Sequence, residues 1–334
     1  MKIVKCKTLI EGGELMKILA PLGSLEEIDR IIKAGADEVY CGVIDDKVNA
    51  KYKIPIINRR PYRVSNLKSY DELEEVVNIS HAAGNNVYVT MNETFCSDEQ
   101  YEFVAECLES MCNAKADAVI ISDIGLLQFI KDEGYDIQIH MSTCSSIYNY
   151  EAVNFYKDMG VTRIILPRHM TIDEINKLKI RNPELEYEML VLNSSCQYDD
   201  GYCTYDHSLG NYVRNANFAG GGCGAIRKIK NYYKKGSFSN NKVPDIAAKY
   251  KEHQMSLSSA CGACFLGNLN LSEIDSLKIV GREFLTSKKE KDIKFLSKVR
   301  DIINTSPNPK DIKFDVMRIY KEIYNKDCME RCYY

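Results

Sequence analysis

Five of the thirteen cysteines fall in one stretch, residues 196–264, whose composition does not bury them as ordinary apolar side chains. Cys196 and Cys203 flank the turn-forming run Asp199-Asp200-Gly201, Cys223 follows Gly220, Gly221 and Gly222, and Cys261 and Cys264 enclose Gly262-Ala263. The turn predicts two thiolates pointing back at one centre, and the glycines let the backbone approach that centre closely. Thiolates are soft ligands, so such a centre selects an iron–sulfur cluster or zinc. The spacing matches neither a zinc finger nor a bacterial ferredoxin run, which leaves the metal open on residues alone. The competing reading is a set of free, reduced thiols. Free cysteines usually sit in apolar runs, as Cys41, Cys107 and Cys112 do here, and the loop cysteines do not. Further on, Cys328 and Cys332 are either extra ligands, able to build a second site with Cys261, or two thiols one helical turn apart.

A second group of chemically able side chains closes apolar segments: Cys41, Asn92, Asp123, His140, Ser142, Arg168 and Asn193. His140, beside Ser142 and Thr143, is a candidate acid, base or hydrogen-bond donor. Asn92, Asp123 and Ser142 are candidate substrate-binding groups. Each has a plainer alternative, a satisfied buried group or a helix cap, and Asp123 suits a cap best.

These residues must be positioned by what lies between them. Lys17-Ile-Leu-Ala-Pro-Leu22 is an apolar strand; Ser24 with Glu27 forms a capping box for a helix that Gly35 ends; Glu38-Val-Tyr-Cys-Gly42 is strand-like again. The unit recurs, with caps at Ser69, Ser97 and Thr171 and strands over 86–92, 118–123, 136–142, 163–168, 186–193 and 277–281. Eight buried strands alternating with helices predict an α/β fold, a (βα) TIM-like barrel, with an open doubly wound sheet as the alternative. The cysteine region then reads as an insertion between strands seven and eight. The first βα turn lacks Gly-x-Gly-x-x-Gly, which argues against a Rossmann dinucleotide site. The expected organisation is an N-terminal extension over 1–16, a barrel over 17–285 carrying the insertion at 194–270, and a C-terminal helical segment over 286–334.

Composition narrows the class. With 45% hydrophobic and 27% charged residues the chain can build a large core, and no apolar run is long enough for a signal peptide or membrane span. The expectation is a cytoplasmic protein with no membrane partner, where thirteen cysteines mean reduced thiols and metal ligation. A net charge of −3 confines any nucleic-acid surface to a patch. Residues 227–251 supply one candidate, interleaving Arg227, Lys228, Lys230, Lys234 and Lys235 with Tyr232, Tyr233 and Phe238, which suits single-stranded RNA or a solvated basic loop.

The motifs also resemble a known family. Lys17-Ile-Leu-Ala-Pro-Leu-Gly-Ser24 and Ala34-Gly-Ala-Asp-Glu-Val-Tyr-Cys-Gly42 look like the opening of the collagenase-like peptidase U-32 family. Ile139-His-Met-Ser-Thr143 with Asn149 is similar to its His-x-Ser-Thr…Asn signature, Ile165-Leu-Pro-Arg168 to its Leu-x-Arg motif, and Cys196-x6-Cys203 and Lys278-Ile-Val-Gly-Arg282 complete the set over about residues 17–285. The resemblance implies a βα barrel whose cysteines bind a [4Fe–4S] cluster, with Cys196, Cys203, Cys223 and Cys264 as ligands and Cys261 as the alternative fourth. It implies catalytic roles for His140 and Arg168, the latter as a two-bond fork on a carboxylate, and adds Asn149 to the substrate-binding set. Family members hydroxylate RNA bases or quinone precursors without oxygen, some drawing the oxygen from prephenate. The implied function is therefore oxygen-independent modification of RNA or a small aromatic compound by an oxygen-sensitive enzyme. Its alternatives are peptide hydrolysis, for which no recognisable Ser-His-Asp, Cys-His or His-Glu-x-x-His arrangement is present, and a non-catalytic partner subunit or homo-oligomer. Two departures stand out: His169 occupies the family's glutamate position, and Cys223 is followed by Gly224-Ala-Ile-Arg227 in place of a further cysteine and arginine.

Overall fold

The structure is a computed structural model that describes residues 16–52, 57–60, 63–193, 199–201, 260–268, 274–305, 309–328 and 332–333. Eight parallel strands close into a barrel: β1 (Lys17–Pro21), β2 (Glu38–Cys41), β3 (Asn86–Met91), β4 (Ala118–Ile121), β5 (Gln138–Met141), β6 (Arg163–Ile165), β7 (Glu186–Leu192) and β8 (Ser276–Ile279). Closure is direct, with Ile18 opposite Leu277 across the β1–β8 seam, and this removes the open-sheet alternative.

The outer helices form where the caps predict them. The Ser24–Glu27 box leads through one turn into α1 (Ile28–Lys33), and Gly35 then takes a φ of +106°. After α2 (Asp46–Tyr52), Ser69 accepts from the Glu72 amide to start α3 (Tyr70–Ala82), and a Ser97–Gln100 box precedes α4 (Tyr101–Asn113). Asp123 caps α5 (Ile124–Glu133), Asn149 caps α6 (Tyr150–Asp158), and Thr171 with Glu174 caps α7 (Ile172–Arg181). The helix α8 (Thr286–Thr305) packs on α1 and β1 in the outer ring, where Lys289 reaches buried Glu27 at 2.6 Å, and α9 (Pro309–Tyr324) lies on α8.

Two cores result from the period-two alternation of strand side chains. Residues such as Ile18, Val39, Val89, Ile121, Met141 and Ile164 face the helices in one continuous apolar layer, while Leu19, Tyr40, Tyr88, Ile120, Ile165 and Leu190 fill the barrel. The barrel filling also carries charge. Arg163, 1% exposed, forks onto Glu38 at 2.8 and 2.9 Å, reaches Glu186 and Glu188, and stacks over the Tyr88 ring at 4.9 Å. Glu38 further accepts from Tyr88 and Ser276, and Lys278 holds Glu188 at 2.6 Å. Buried charge persists only when paired and hydrogen-bonded, and these partners satisfy that condition.

Candidate active site

A pocket of about 110 Å³ opens at the C-terminal ends of the strands, the end where barrel enzymes keep their chemistry. Its floor is Tyr40, Ile120, Ile165, Leu190 and Lys278, and its rim is mostly cationic: Arg59, Arg60, Arg168 and Arg282 line it, against Asp200 as the carboxylate among the described lining residues.

Each arginine is held differently. Arg282 follows β8, is buried, and donates to Asn66 and Thr90 at 3.2 and 3.0 Å and to Asn58 at 3.1 Å. Burial pushes its guanidinium down to about 10. Gly42, directly after β2, is required here, because a Cβ would collide with the Arg282 guanidinium and the Asn66 amide. Arg168 leaves the end of the β6 segment, donates through Nε to Asp200 at 2.6 Å and through a terminal nitrogen to the Tyr333 hydroxyl at 3.1 Å. Burial alone would raise the Asp200 carboxyl; the Arg168 charge and hydrogen bonds from Arg168 and Thr143 hold it below the ordinary aspartate value. Tyr333 in turn donates its hydroxyl to the Asn193 carbonyl and its amide to Cys261 O, so the segment Cys332–Tyr333 is laid against the end of β7.

The turn between Cys196 and Cys203 is seated on the same rim. Asp200 is bonded as described, Asp199 accepts from Ser146 at 3.3 Å, and Gly201 approaches Ser146 and the Cys144 carbonyl so closely that a Cβ would overlap them. Thus the residues expected only to form a turn also recognise Arg168 and the loop after β5.

The predicted substrate-binding residues divide. Asn92 and Ser142 line the pocket and bond to each other at 3.4 Å. Asp123 caps α5 through the Leu126 amide at 2.7 Å, the plainer role weighed for it, and Asn149, expected from the resemblance to bind substrate, caps α6 through the Ala152 amide at 3.0 Å; neither is among the described lining residues of the pocket.

His140 departs from its expected place at the mouth. His140 on β5 and Ser142 just past its end both point inward, but two residues along an extended chain is about 7 Å, and this puts Ser142 at the mouth and His140 one layer below. The imidazole is fully buried, meets Tyr88 edge to face at 4.6 Å, and finds no hydrogen-bond partner for either nitrogen among the described residues. Burial, reinforced by Arg163 and Lys278, drives it well below the ordinary histidine value and keeps it neutral. It is not brought together with Arg168. His169 is exposed.

Of the expected cluster ligands, Cys196, Cys203 and Cys223 lie outside the described residues, as does the basic aromatic segment 227–251. Cys264 is half-buried in a short 3-10 turn (Ala263–Asn268) against α9, and Cys261 pairs by backbone with Cys332. Burial, with neighbouring thiols adding to it, pushes Cys261 to about 12 and Cys264 to about 11. Among the described residues no three histidine, cysteine or acidic side chains stand ready to hold a metal, so the fit of a cluster rests on the donor chemistry of the sequence and on where the Asp199–Gly201 turn is seated.

Arg59, Arg60 and Cys144 are pocket residues that the sequence did not single out. The first two follow α2, a helix with no buried residue and hence no amphipathic signal.

A closed eight-stranded parallel barrel with a pocket at the C-terminal ends of its strands places the chain among the (βα) TIM-like barrels. The chain belongs to peptidase family U32, whose model matches residues 23–334. It is 31% identical over 188 residues to tRNA hydroxylation protein P of Haemophilus influenzae, covering 56% of this chain and 38% of that protein. Over 219 residues it is 29% identical to tRNA hydroxylation protein P2 of Bacillus subtilis, 64% and 67% of the two chains. A collagenase of Porphyromonas gingivalis is 28% identical over 162 residues, 48% and 35% of the two. The chain therefore spans less than half the length of the first of these relatives. The solved structure of the U32 peptidase Mk0906 is similar at a TM-score of 0.47 and 15% identity, covering 64% of this chain and 86% of that one.

Proposed function

We propose that this protein is an iron–sulfur enzyme that modifies an RNA base by oxygen-independent hydroxylation, using the pocket at the barrel mouth for a small anionic reactant. The observation that carries this reading is the seating of the Asp199–Gly201 turn, which lies in sequence between Cys196 and Cys203, on the rim of a pocket lined by Arg59, Arg60, Arg168 and Arg282. The names of the relatives support the choice of RNA as substrate.

The residues divide the work. Arg168 is oriented at the rim by Asp200 and Tyr333, and its planar guanidinium suits a carboxylate or phosphate better than an ammonium would. Arg282 contributes a fixed buried charge, and Asn92 and Ser142 offer neutral donors and acceptors beside it. Cys196, Cys203, Cys223 and Cys264 would hold the cluster, which when bound would supply electron transfer and a Lewis-acidic iron. His140, neutral and sealed one layer down against Tyr88, is given no role at the mouth.

Anaerobic purification with iron and sulfide analysis, followed by mass measurement of RNA incubated with cluster-containing and iron-free protein, tests the reading. A mass gain on RNA only with the cluster is expected, and iron should be lost in Cys196→Ala with Cys203→Ala. Full iron content in that double variant, or peptide cleavage that persists without iron, overturns it.

A further inference from the structure

Lys278 sits where the barrel filling and the mouth meet. β8 delivers it inward to the pocket floor, buried. Its ammonium contacts Glu188 at 2.6 Å and lies 4.2 Å from the centre of the Tyr40 ring. Glu188 is itself fully buried and is steadied from the other side by Arg163 at 3.4 Å. A nucleophile in hydrogen-bond contact with a base that a third group orients is the arrangement that activates side-chain nucleophiles. An amine that is desolvated and surrounded by other cations gives up its proton more readily. Both conditions hold here: burial lowers the Lys278 amine below the ordinary lysine value, Glu188 opposes this, and Arg163 and Arg282 add to it.

We propose that Lys278 is a carbonyl-capturing amine that forms an imine with small carboxylates bearing a ketone or aldehyde. The guanidiniums of Arg168 and Arg282 hold the carboxylate end while the carbonyl meets the floor. Glu188 takes one proton from the ammonium, and the freed amine donates its electron pair to the carbonyl carbon. A carbon–nitrogen bond forms as the carbon–oxygen π pair moves to oxygen, which collects a proton from the attacking nitrogen. The hydroxyl then leaves as water with the proton returned by Glu188, and the nitrogen pair closes the protonated C=N bond. Nothing is oxidised or reduced, and Glu188 ends as it began. A volume of about 110 Å³ has room for a molecule of this kind beyond a single ordered water.

The inference requires neither iron nor RNA, so its failure leaves the hydroxylation reading standing. Wild-type protein is incubated with pyruvate, and separately with glyoxylate, with and without sodium borohydride, and the digested protein is analysed by mass spectrometry for a reduced adduct. Enrichment at Lys278 of more than about tenfold over exposed Lys47 and Lys177 is expected, since a bound carbonyl faces the amine at high effective concentration. Excess malonate should reduce it by competing for the guanidiniums. Lys278→Arg, which keeps a charge for Glu188, should lose the adduct. Labelling of Lys278 at or below the level of Lys47, or labelling unaffected by malonate, overturns the proposal, and the wild-type mapping decides this even if the variant does not fold.

Discussion

The filling of the barrel and its mouth both concentrate charge, yet they treat it oppositely. Inside, Glu38 and Glu188 are matched by Arg163 and Lys278, and these contacts are buried ion pairs and hydrogen bonds. At the mouth, Arg59, Arg60, Arg168 and Arg282 face Asp200, so cations outnumber carboxylates among the described lining residues, and Arg60 also reaches Glu283 at 4.0 Å. A balanced buried set stabilises only by remaining complete, whereas a surplus in a concave site attracts an anion from solution. Lys278 belongs to both regions, which is why it can be structural toward Glu188 and reactive toward the pocket.

Removing one member of the balanced set should have the largest effect. Arg163→Met removes the guanidinium fork from buried Glu38, while Glu188 keeps Lys278, and should cost about 3–5 kcal/mol, read by urea denaturation. A cost below about 1 kcal/mol would mean that the interior network is not a matched set.

The interior should also respond to acid through His140. Its value is lowered in the folded state by burial first, so below about 6.5 the unfolded chain binds a proton that the folded chain refuses. Stability is therefore intact above that pH and falls as pH drops toward the folded value. Denaturation curves of His140→Phe across the range should show a flatter acid limb than the wild type. Parallel limbs would place the acid sensitivity elsewhere.

The mouth should behave the other way, losing affinity and keeping stability. Arg168→Lys should weaken binding of a small dicarboxylate about tenfold by calorimetric titration, because an ammonium cannot reproduce the planar fork, while the melting transition shifts little. Equal affinity would remove Arg168 from the anion site. The smallest expected change is in Tyr333→Phe, which deletes the hydroxyl between Arg168 and the Asn193 carbonyl. About 1 kcal/mol of stability is the expected loss, with a minor drop in anion affinity in the same titration.

Much of the framework was legible in residues 17–193 because its signals are local. The Ser24–Glu27, Ser69 and Thr171–Glu174 caps act within one turn, and each strand announces itself as a short apolar run, so alternating elements, their order and the barrel class follow from neighbours in sequence. The capping roles of Asp123 and Asn149 are equally local; the resemblance and the strand-end position made them look like ligands to a substrate. What tertiary structure decided is depth and company. His140 and Ser142 both face inward, and only closure of the barrel sets one beneath the pocket and the other on its rim. Arg163 opened a strand as one charged residue among many, and its pairing with Glu38, 125 positions away, required the two strands to share one interior. Arg59, Arg60 and Arg282 likewise converge from segments that no periodicity links. Capping and strand formation depend on bonds between near neighbours, whereas a pocket is made by residues whose only relation is the path the closed sheet imposes on the chain.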